Sequence, residues 1–306
     1  MKGITHLQTV EALLSGTMDS VLWRFFFHRS SLITNCNGSQ KAFVTQTNSP
    51  LKTTIVYDMD KQTYTVTEDL FSNFPKVIGY KLSTFYHYIS VITHFSIYNE
   101  FVVSHLVFCY HNDVLFLLRC NLPPLGNGYS KDVGKKTDLV TANPSIIKNK
   151  FGSLTGRRRA FVDYVSIYGD AFLFLPGFTT SFGTTMSMNA LYTLEDFRSS
   201  VKAVFMNPDY LRSLDKYWRA QGVKPGSRLS TGFMMLSLAL EICNNVDVYG
   251  FWPFDNHPYG FQSLTHHYYD NYKPDRNPHA MPAEFAHLIK LHNQGVLKLH
   301  VGECPQ

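Results

Sequence analysis

Residues 228–284 contain most of the side chains in this chain that could do chemistry. The stretch includes Leu229-Ser230-Thr231-Gly232, Tyr249-Gly250-Phe251-Trp252-Pro253-Phe254, the pair His266 and His267, and His279 with Glu284. Hydroxyl, imidazole and carboxylate groups are the types that anion binding and general acid–base catalysis use. We therefore predict that the catalytic centre of this chain lies here.

The triplet Ser230-Thr231-Gly232 directly precedes an apolar stretch, 233–243, that is long enough to form a helix. A helix that begins here presents unpaired N–H groups and the positive end of its dipole, and glycine allows a ligand to approach the backbone. The pattern predicts a phosphate or carboxylate site. An ordinary N-cap is the alternative. The chain contains no GxxxxGK[ST] loop, which excludes that class of nucleotide site.

His279 lies between Pro278 and Pro282, at the start of a predicted helix over 281–293. The helix dipole disfavours an imidazolium ion at this end, so the ring is expected to stay neutral and able to accept a proton. This is the setting of a general base, although an exposed loop histidine is the alternative. Trp252, between two phenylalanines, is either a core residue or a stacking surface for a base or sugar.

The pair His266 and His267, with His257 and Asp270 nearby, raises the question of a metal site. Their spacing gives no i, i+4 pair on a helix, and the chain has no HExxH motif. A histidine that donates to an anionic ligand, or one satisfied within the protein, explains them better. A metal hydrolase using His266, His267 and Asp270 remains an alternative, which chelators would inactivate.

Composition limits the classes of protein to consider. The chain has 306 residues, 44% of them hydrophobic and 17% charged, so it is expected to form a folded core. Its formal charge of +5 suits an acidic ligand or an anionic membrane surface, or is an ordinary solvated face, and lacks the basic stripe of a nucleic-acid binder. No apolar run of membrane-spanning length and no signal peptide is recognisable, which predicts a soluble globular chain.

Strand-like and helix-like segments alternate along most of the chain. We predict strands over 53–57, 63–66, 139–142, 171–176, 203–206, 247–252 and 296–301, and helices over 68–74, from 143, over 207–222, over 233–243 and over 281–293. This order predicts an α/β fold with a mainly parallel sheet flanked by helices. Ligands would then bind at the carboxyl ends of strands, in the loops after Ala142, Phe205 and Trp252.

Four motifs, in order, resemble those of the animal sialyltransferases. They are Arg119-Cys120-Asn121-Leu122-Pro123-Pro124 with 132–145 (the later half of the large sialylmotif), 229–254 (the small sialylmotif), His267-Tyr268-Tyr269-Asp270-Asn271 (the third motif), and His279 with Glu284 (the very small motif). The sequences at 250–254 and 266–271 are most similar to those of the α-2,8-sialyltransferases.

This resemblance implies a single-domain, Rossmann-like glycosyltransferase with a GT-A-like sialyltransferase fold over 34–306, after an irregular segment at 1–33. It implies an inverting transfer of sialic acid from CMP-sialic acid, in α-2,8 linkage, to a sialylated glycan on a glycoprotein or glycolipid. No metal or other cofactor and no nucleic acid is implied. The family resides in the Golgi lumen behind a membrane anchor, which this sequence does not show. The sequon Asn37-Gly38-Ser39 is the predicted glycosylation site.

The resemblance also implies roles for individual residues. His279 would be the general base that deprotonates the acceptor. The other implied residues all serve CMP-sialic acid: Ser230, Thr231 and Gly232 at its carboxylate, Asn121 at its nucleotide, Trp252 at the donor pocket, and His267 at the phosphate.

The chain departs from the family pattern before these motifs. Residues 77–118 are rich in Tyr, Phe, Ile, Val and His, and the first half of the large sialylmotif is not found there. We expect 77–115 to be an atypical segment that replaces this half and is foreign to the fold. The resemblance implies disulfide bonds from two cysteines of that half to those matching Cys243 and Cys304. Here only Cys109 and, as the second choice, Cys120 are available, so we expect at most one such disulfide. The alternative function is therefore a non-catalytic or misfolded homologue with an incomplete donor pocket, which binds a glycan or a protein partner.

Overall fold

A seven-stranded sheet organises the part of the chain that the structure describes. The structure is a computed structural model. It describes residues 20–76, 106–111, 114–224, 226–257, 263–265, 267–269 and 279–301.

The strands and helices alternate along these ranges. The strands are β1 (Thr54–Val56), β2 (Thr63–Thr65), β3 (Leu106–His111), β4 (Val114–Arg119), β5 (Leu139–Thr141), β6 (Phe172–Leu175), β7 (Lys202–Phe205), β8 (Asn245–Tyr249) and β9 (Lys298–His300). The α-helices are α1 (Ser20–Asn35), α2 (Gly38–Lys41), α3 (Glu68–Asn73), α4 (Ser130–Val133), α5 (Pro144–Phe151), α6 (Arg158–Val165), α7 (Ser181–Asp196), α8 (Pro208–Ala220), α9 (Thr231–Ile242) and α10 (Met281–Asn293). Short 3-10 turns follow α5 and α6.

The large sheet has the strand order β7-β6-β5-β4-β3-β8-β9. Strands β4 to β7 are parallel to one another, and β8 is parallel to β9. Only β3 runs the other way, antiparallel to both β4 and β8. The predicted α/β fold with a mainly parallel sheet is thus confirmed, while β1 and β2 form a separate hairpin.

This topology places the carboxyl ends of β4, β5, β6, β7 and β8 at one edge of the sheet, here called the ligand edge. Asn121 follows β4, Asn143 follows β5 and Trp252 follows β8. Parallel α/β sheets bind ligands at such an edge. The fold therefore gathers residues from distant parts of the sequence at one place.

Two hydrophobic clusters cover the two faces of the sheet. Alternate side chains of a strand point to opposite faces, and accordingly Phe174 belongs to one cluster while Leu173 and Leu175 belong to the other. The first cluster includes α1, α8, α9 and α10, and the second includes α5, α6 and α7. Helix α9 is apolar around most of its surface because it is buried between the sheet and other helices.

Helix α1 corrects the expectation of an irregular segment at 1–33. Residues 20–33 are helical, with Phe25 and Leu32 buried against the first cluster. Arg29 fixes the helix to the end of α9, because its Nη1 donates to Asn244 Oδ1 at 2.9 Å. Residues 1–19, which make up the rest of the predicted irregular segment, lie outside the described residues.

Strands β3 and β4 correct part of the second expectation. Residues 106–111, 114 and 115, from the segment predicted to be foreign to the fold, lie in two strands that pair with each other in the middle of the sheet, and Val107 in this segment is fully buried. The predicted replacement of a nucleotide-binding loop falls on 77–105, outside the described residues, and stays a prediction.

The cysteines follow the sequence expectation in part. Cys243 is in a disulfide bond, whereas Cys36 and Cys120 are buried free thiols, so Cys120 is not its partner. Cys304 lies outside the described residues. Among the helices that the structure describes, none has both the length and the apolar character needed to cross a membrane.

Candidate active site

The N-terminus of α9 lies at the ligand edge and is held by two buried side chains. Ser230 is the N-cap, and its Oγ accepts a hydrogen bond from Phe233 N–H at 3.1 Å. The N–H of Ser230 itself donates to Glu284 Oε1 at 2.8 Å, and Ser230 and Glu284 are only 4% and 3% exposed. Burial raises the pKa of Glu284, and its hydrogen bonds with Ser230 oppose that shift. Glu284 is thus a support beneath the helix end.

Thr231 and Gly232 form the first turn of α9, where N–H groups have no acceptor within the helix. The Thr231 hydroxyl donates to Asn143 Oδ1 at 3.2 Å, and Asn143 N–H donates to Asn121 Oδ1 at 3.0 Å. A chain of hydrogen bonds therefore joins the predicted carboxylate site to the predicted nucleotide residue. The prediction that the helix begins at these residues is confirmed, and its anion-binding role stays a prediction.

Asn143 joins the candidate site, although the sequence predicted only that a helix begins at this residue. Its place between Thr231 and Asn121 depends on the neighbouring positions of β4 and β5 in the sheet. Asn121 itself has a left-handed backbone with φ of 64°, and its N–H donates to Thr141 Oγ1 at 2.9 Å. An asparagine followed by a proline at the end of a predicted strand was the only local indication.

His279 is fixed by a backbone carbonyl next to α9. Its Nδ1 lies 3.1 Å from the carbonyl oxygen of Arg228, which only accepts hydrogen bonds, so Nδ1 carries the proton and Nε2 has the free lone pair. Burial lowers the pKa of His279 below its usual value of about 6.5, and the charge of Arg228 lowers it further. The ring is therefore oriented and its neutral form is favoured, and the role of His279 as a base stays a prediction.

Trp252 packs beside α10 at the same edge. It is partly buried against the first cluster, and its ring meets that of Phe285 edge to face at 5.4 Å between centroids. Its Nε1 donates to the carbonyl oxygen of Asn256 at 2.8 Å. Since Phe285 follows Glu284, the same turn of α10 contacts both Trp252 and the N-cap of α9.

His267 is placed by the residues around it. Its ring stacks on Tyr269 with centroids 4.9 Å apart and planes 10° apart. Between them Tyr268 donates its hydroxyl to the carbonyl oxygen of Pro124 at 2.6 Å. This contact attaches the third motif to the turn that carries Asn121. His267, the residue before Tyr268, therefore lies near the loop that follows β4.

A cavity of about 400 Å³ opens beside Thr231 and Asn143. The turn between β1 and β2, helix α8 and the loop before α9 also line it. Its lining includes the cations Lys61, Arg212, Lys216 and Arg228 and the acids Asp58 and Asp215. The cavity thus has an excess of positive charge next to the predicted anion site.

The remaining predictions concern Asn37 and a metal. Asn37 has a left-handed backbone, is partly exposed, and donates through Nδ2 to Gln40 Oε1 at 3.0 Å. Its glycosylation stays a prediction. Among the described residues, no group of His, Cys, Asp and Glu side chains is placed to hold a metal ion. His266 and Asp270, from the alternative metal site, lie outside them.

The sequence matches a known family over most of its length. Residues 112–296 match glycosyltransferase family 29 (sialyltransferase). The chain is 38% identical over 277 residues to alpha-2,8-sialyltransferase 8E of Rattus norvegicus, covering 90% of this chain and 72% of that protein. It is 47% identical over 189 residues to alpha-N-acetylneuraminide alpha-2,8-sialyltransferase of Xenopus laevis, covering 62% of this chain and 52% of that protein.

Solved structures show a weaker likeness. A mammalian sialyltransferase crystallised with Gal-beta-1-3GalNAc-ortho-nitrophenol superposes with a TM-score of 0.40 at 21% identity. The match covers 61% of this chain and 61% of that one.

Proposed function

Because the chain belongs to glycosyltransferase family 29, the sialyltransferases, we propose that it transfers sialic acid from CMP-sialic acid to a sialylated glycan in α-2,8 linkage. The identity to α-2,8-sialyltransferases over most of the chain supports the donor and the linkage. The acceptor glycan would be carried by a glycoprotein or a glycolipid.

The observation that carries the proposal is the state of His279. A neutral imidazole, with Nδ1 protonated toward the Arg228 carbonyl and Nε2 free, is prepared to accept one proton. Arg228, which orients His279, lies two residues before Ser230, the N-cap of α9, and the N-terminus of this helix offers N–H groups to an anion. A base and an anion site side by side are what a transfer from an anionic sugar requires.

The reaction is a single displacement at C2 of the donor sugar. The 8-hydroxyl of the acceptor sialic acid gives its proton to His279 Nε2 while its oxygen forms the new bond to C2. The bond from C2 to the phosphate oxygen breaks on the opposite face, and its electron pair leaves with CMP. The configuration at C2 is therefore inverted.

The other residues position and stabilise the reactants. Thr231 and Gly232 hold the donor carboxylate, and Asn121 contacts the nucleotide. Trp252 packs at the donor pocket, and His267 donates to the phosphate as negative charge develops on it. Orientation and electrostatic stabilisation of a developing charge supply much of the rate in such reactions. Ser230 assists indirectly, since its hydroxyl caps the helix that presents the anion site.

Replacing His279 by alanine tests the base. We expect kcat to fall by roughly 100- to 10,000-fold, the usual contribution of a general base, with the KM for CMP-sialic acid little changed. His292→Ala, at the far end of α10, is the matched control and should keep the wild-type rate. An unchanged rate in His279→Ala would remove His279 from the mechanism.

The same assay addresses the cofactor. The reaction as written passes no step through a metal, so EDTA should leave the rate unchanged. A loss of activity with EDTA that zinc restores would favour a metal hydrolase instead. A folded wild-type chain that neither binds CMP nor forms product would favour a non-catalytic homologue with an incomplete donor pocket.

We place the protein in the Golgi lumen, attached to the membrane. Membership of the family, the disulfide at Cys243 and the sequon at Asn37 support an oxidising secretory compartment. Fluorescence microscopy of the tagged chain beside a Golgi marker tests this, and a cytosolic signal would contradict it.

A further inference from the structure

Arg228 is a partly buried cation that lines the 400 Å³ cavity. Among the described residues, its guanidinium forms no hydrogen bond and no ion pair within 4.0 Å. Burial lowers the pKa of Arg228, which reflects the loss of water around its charge. Burying a charge without a close partner is costly, so a site of this kind favours an anionic ligand.

The neighbouring charges leave Arg228 available. Arg212 has partners, since its Nη2 contacts Asp209 and its Nη1 lies 4.0 Å from Asp58. Asp215 is held by Arg219, with Nε to Oδ2 at 2.6 Å. Lys61 donates to the carbonyl oxygen of Asp58. Asp58 raises the pKa of Arg228 from a distance but does not form a close pair with it.

The backbone of Arg228 connects this cavity to the base. Its carbonyl oxygen orients His279, while its side chain lines the cavity. A ligand group bound by the guanidinium would therefore lie in the cavity beside the residue that orients the base. Thr231, also in the lining, marks the donor side of the same cavity.

The acceptor proposed above carries two groups that fit this arrangement. Its sialic acid has the 8-hydroxyl that must reach His279, and it has a carboxylate elsewhere on the same sugar. Arginine binds carboxylates with two parallel hydrogen bonds, which orients the sugar as well as holding it.

We propose that the Arg228 guanidinium binds the carboxylate of the acceptor's terminal sialic acid and thereby selects sialylated over neutral acceptors. The inference rests on the proposed transfer reaction and adds a residue that determines acceptor specificity. Arg212 and Lys216 also line a second cavity of about 420 Å³, together with Lys41 and Asp209, so positive charge extends beyond the cavity that Arg228 lines.

The test compares two acceptors that differ at one group. Sialyllactose and its methyl ester at the sialic acid carboxylate are used with the full chain and CMP-sialic acid. The wild type should have a KM for the acid roughly 10- to 100-fold below that for the ester, the usual effect of one charged hydrogen-bonded pair. Arg228→Gln should raise the KM for the acid to near that for the ester. The KM for CMP-sialic acid should stay unchanged.

Two further variants separate charge from folding. Arg228→Lys keeps the charge and should retain part of the preference for the acid. Arg159→Gln, an exposed arginine paired with Asp163 on α6, is the matched control and should behave as the wild type. A rise in Tm with CMP in Arg228→Gln verifies that this variant is folded.

The proposal fails if Arg228→Gln keeps the preference for the acid. It also fails if Arg228→Gln instead raises the KM for CMP-sialic acid, which would mean that Arg228 binds the donor. If the wild type releases no CMP from the donor, the transfer reaction itself is wrong. Calorimetry with sialyllactose, its ester and CMP then tests the binding site directly. If the wild type binds the acid more tightly than the ester and Arg228→Gln does not, the subsite is supported. If the wild type binds the acid and the ester equally, the proposal is overturned.

Discussion

Helices α7 and α9 begin in similar ways but in different surroundings. Each has a hydroxyl N-cap, Thr180 accepting from Gly183 N–H at 2.9 Å and Ser230 accepting from Phe233 N–H at 3.1 Å. Each also has a carboxylate from another part of the chain. At α7 this is Asp60, from the turn between β1 and β2, and at α9 it is Glu284, from α10.

The two carboxylates take different N–H groups. Asp60 Oδ2 accepts from both the N–H and the hydroxyl of Ser181, the first residue of α7, at 2.7 and 2.8 Å. Glu284 accepts from Ser230, one position before α9. Asp60 thus occupies the anion site of its own helix, while Glu284 leaves the first turn of α9 to a ligand.

Their surroundings shift the pKa values of Asp60 and Glu284 in opposite directions. Hydrogen bonds from Ser181 lower the pKa of the exposed Asp60, whereas burial raises the pKa of Glu284. The comparison indicates that an acid withdrawn beneath a helix N-terminus leaves the N–H groups of the first turn open to an anion, which is the role proposed for α9. A hydroxyl cap alone does not distinguish the two.

The largest expected difference comes from removing each acid. Glu284→Ala leaves the buried Ser230 N–H without an acceptor, which costs roughly 1–3 kcal/mol of folding free energy. It should also weaken CMP-sialic acid binding. Asp60→Ala should have a much smaller effect, because Asp60 is exposed and water can replace its carboxylate at Ser181. Urea unfolding of both variants measures this, and equal losses would show that burial is not what separates the helices.

The caps give a smaller and more selective contrast. Ser230→Ala and Thr180→Ala should each lower stability by about 1 kcal/mol, since each removes one cap hydrogen bond. Ser230→Ala, but not Thr180→Ala, should also raise the KM for CMP-sialic acid, because the proposed donor site uses the first turn of α9. Thermal unfolding and donor titrations of the pair test this. A raised donor KM in Thr180→Ala would mean that α7 also belongs to the site.

The smallest effect is on the pH dependence of stability. The folded state holds the Glu284 proton more tightly than the unfolded state does, so its contribution makes stability fall as pH rises from about 4.5 toward the raised pKa. Glu284→Gln keeps the acceptor without the charge and should flatten this fall. Asp60 has the opposite sign, because its contribution is lost as pH falls through its lowered pKa.

Tm values between pH 3 and 7 for the wild type, Glu284→Gln and Asp60→Asn decide this. Other buried acids, Glu241 and Asp138 among them, also have raised pKa values, so the differences between variants carry the test. If Tm changes with pH in the same way in the wild type and in Glu284→Gln, burial does not raise the pKa of Glu284 as assigned.

Local sequence determined much of the sheet and several helices. Helix α10 has the predicted bounds, and β5, β6 and β7 lie within one residue of the predicted strands. Helix α1 was missed because its aromatic run, Trp23 to Phe27, hides the spacing of the buried Phe25 and Leu32. Helix α7, rich in Ser, Thr and Gly, lacks a clear apolar period, and no helix was predicted there.

The residues of the candidate site can be selected from the sequence, but their contacts with one another cannot. Hydroxyls before a helix and a histidine between prolines are local patterns, and they predicted Thr231 and His279. The contacts of Asn143 with Thr231 and of Arg228 with His279 join residues 88 and 51 positions apart. Such contacts depend on the order of strands, which periodicity does not reveal. The unpaired state of Arg228 is likewise a property of the folded chain.

Strand β3 has a consequence for the segments on either side of it. Because it runs against its neighbours, its first residue, Leu106, pairs with Arg119 at the end of β4 and with Tyr249 at the end of β8. The chain therefore enters the sheet at the ligand edge, between the segments that carry Asn121 and Trp252. A change that weakens the pairing of Leu106 would therefore act on both neighbouring segments at once.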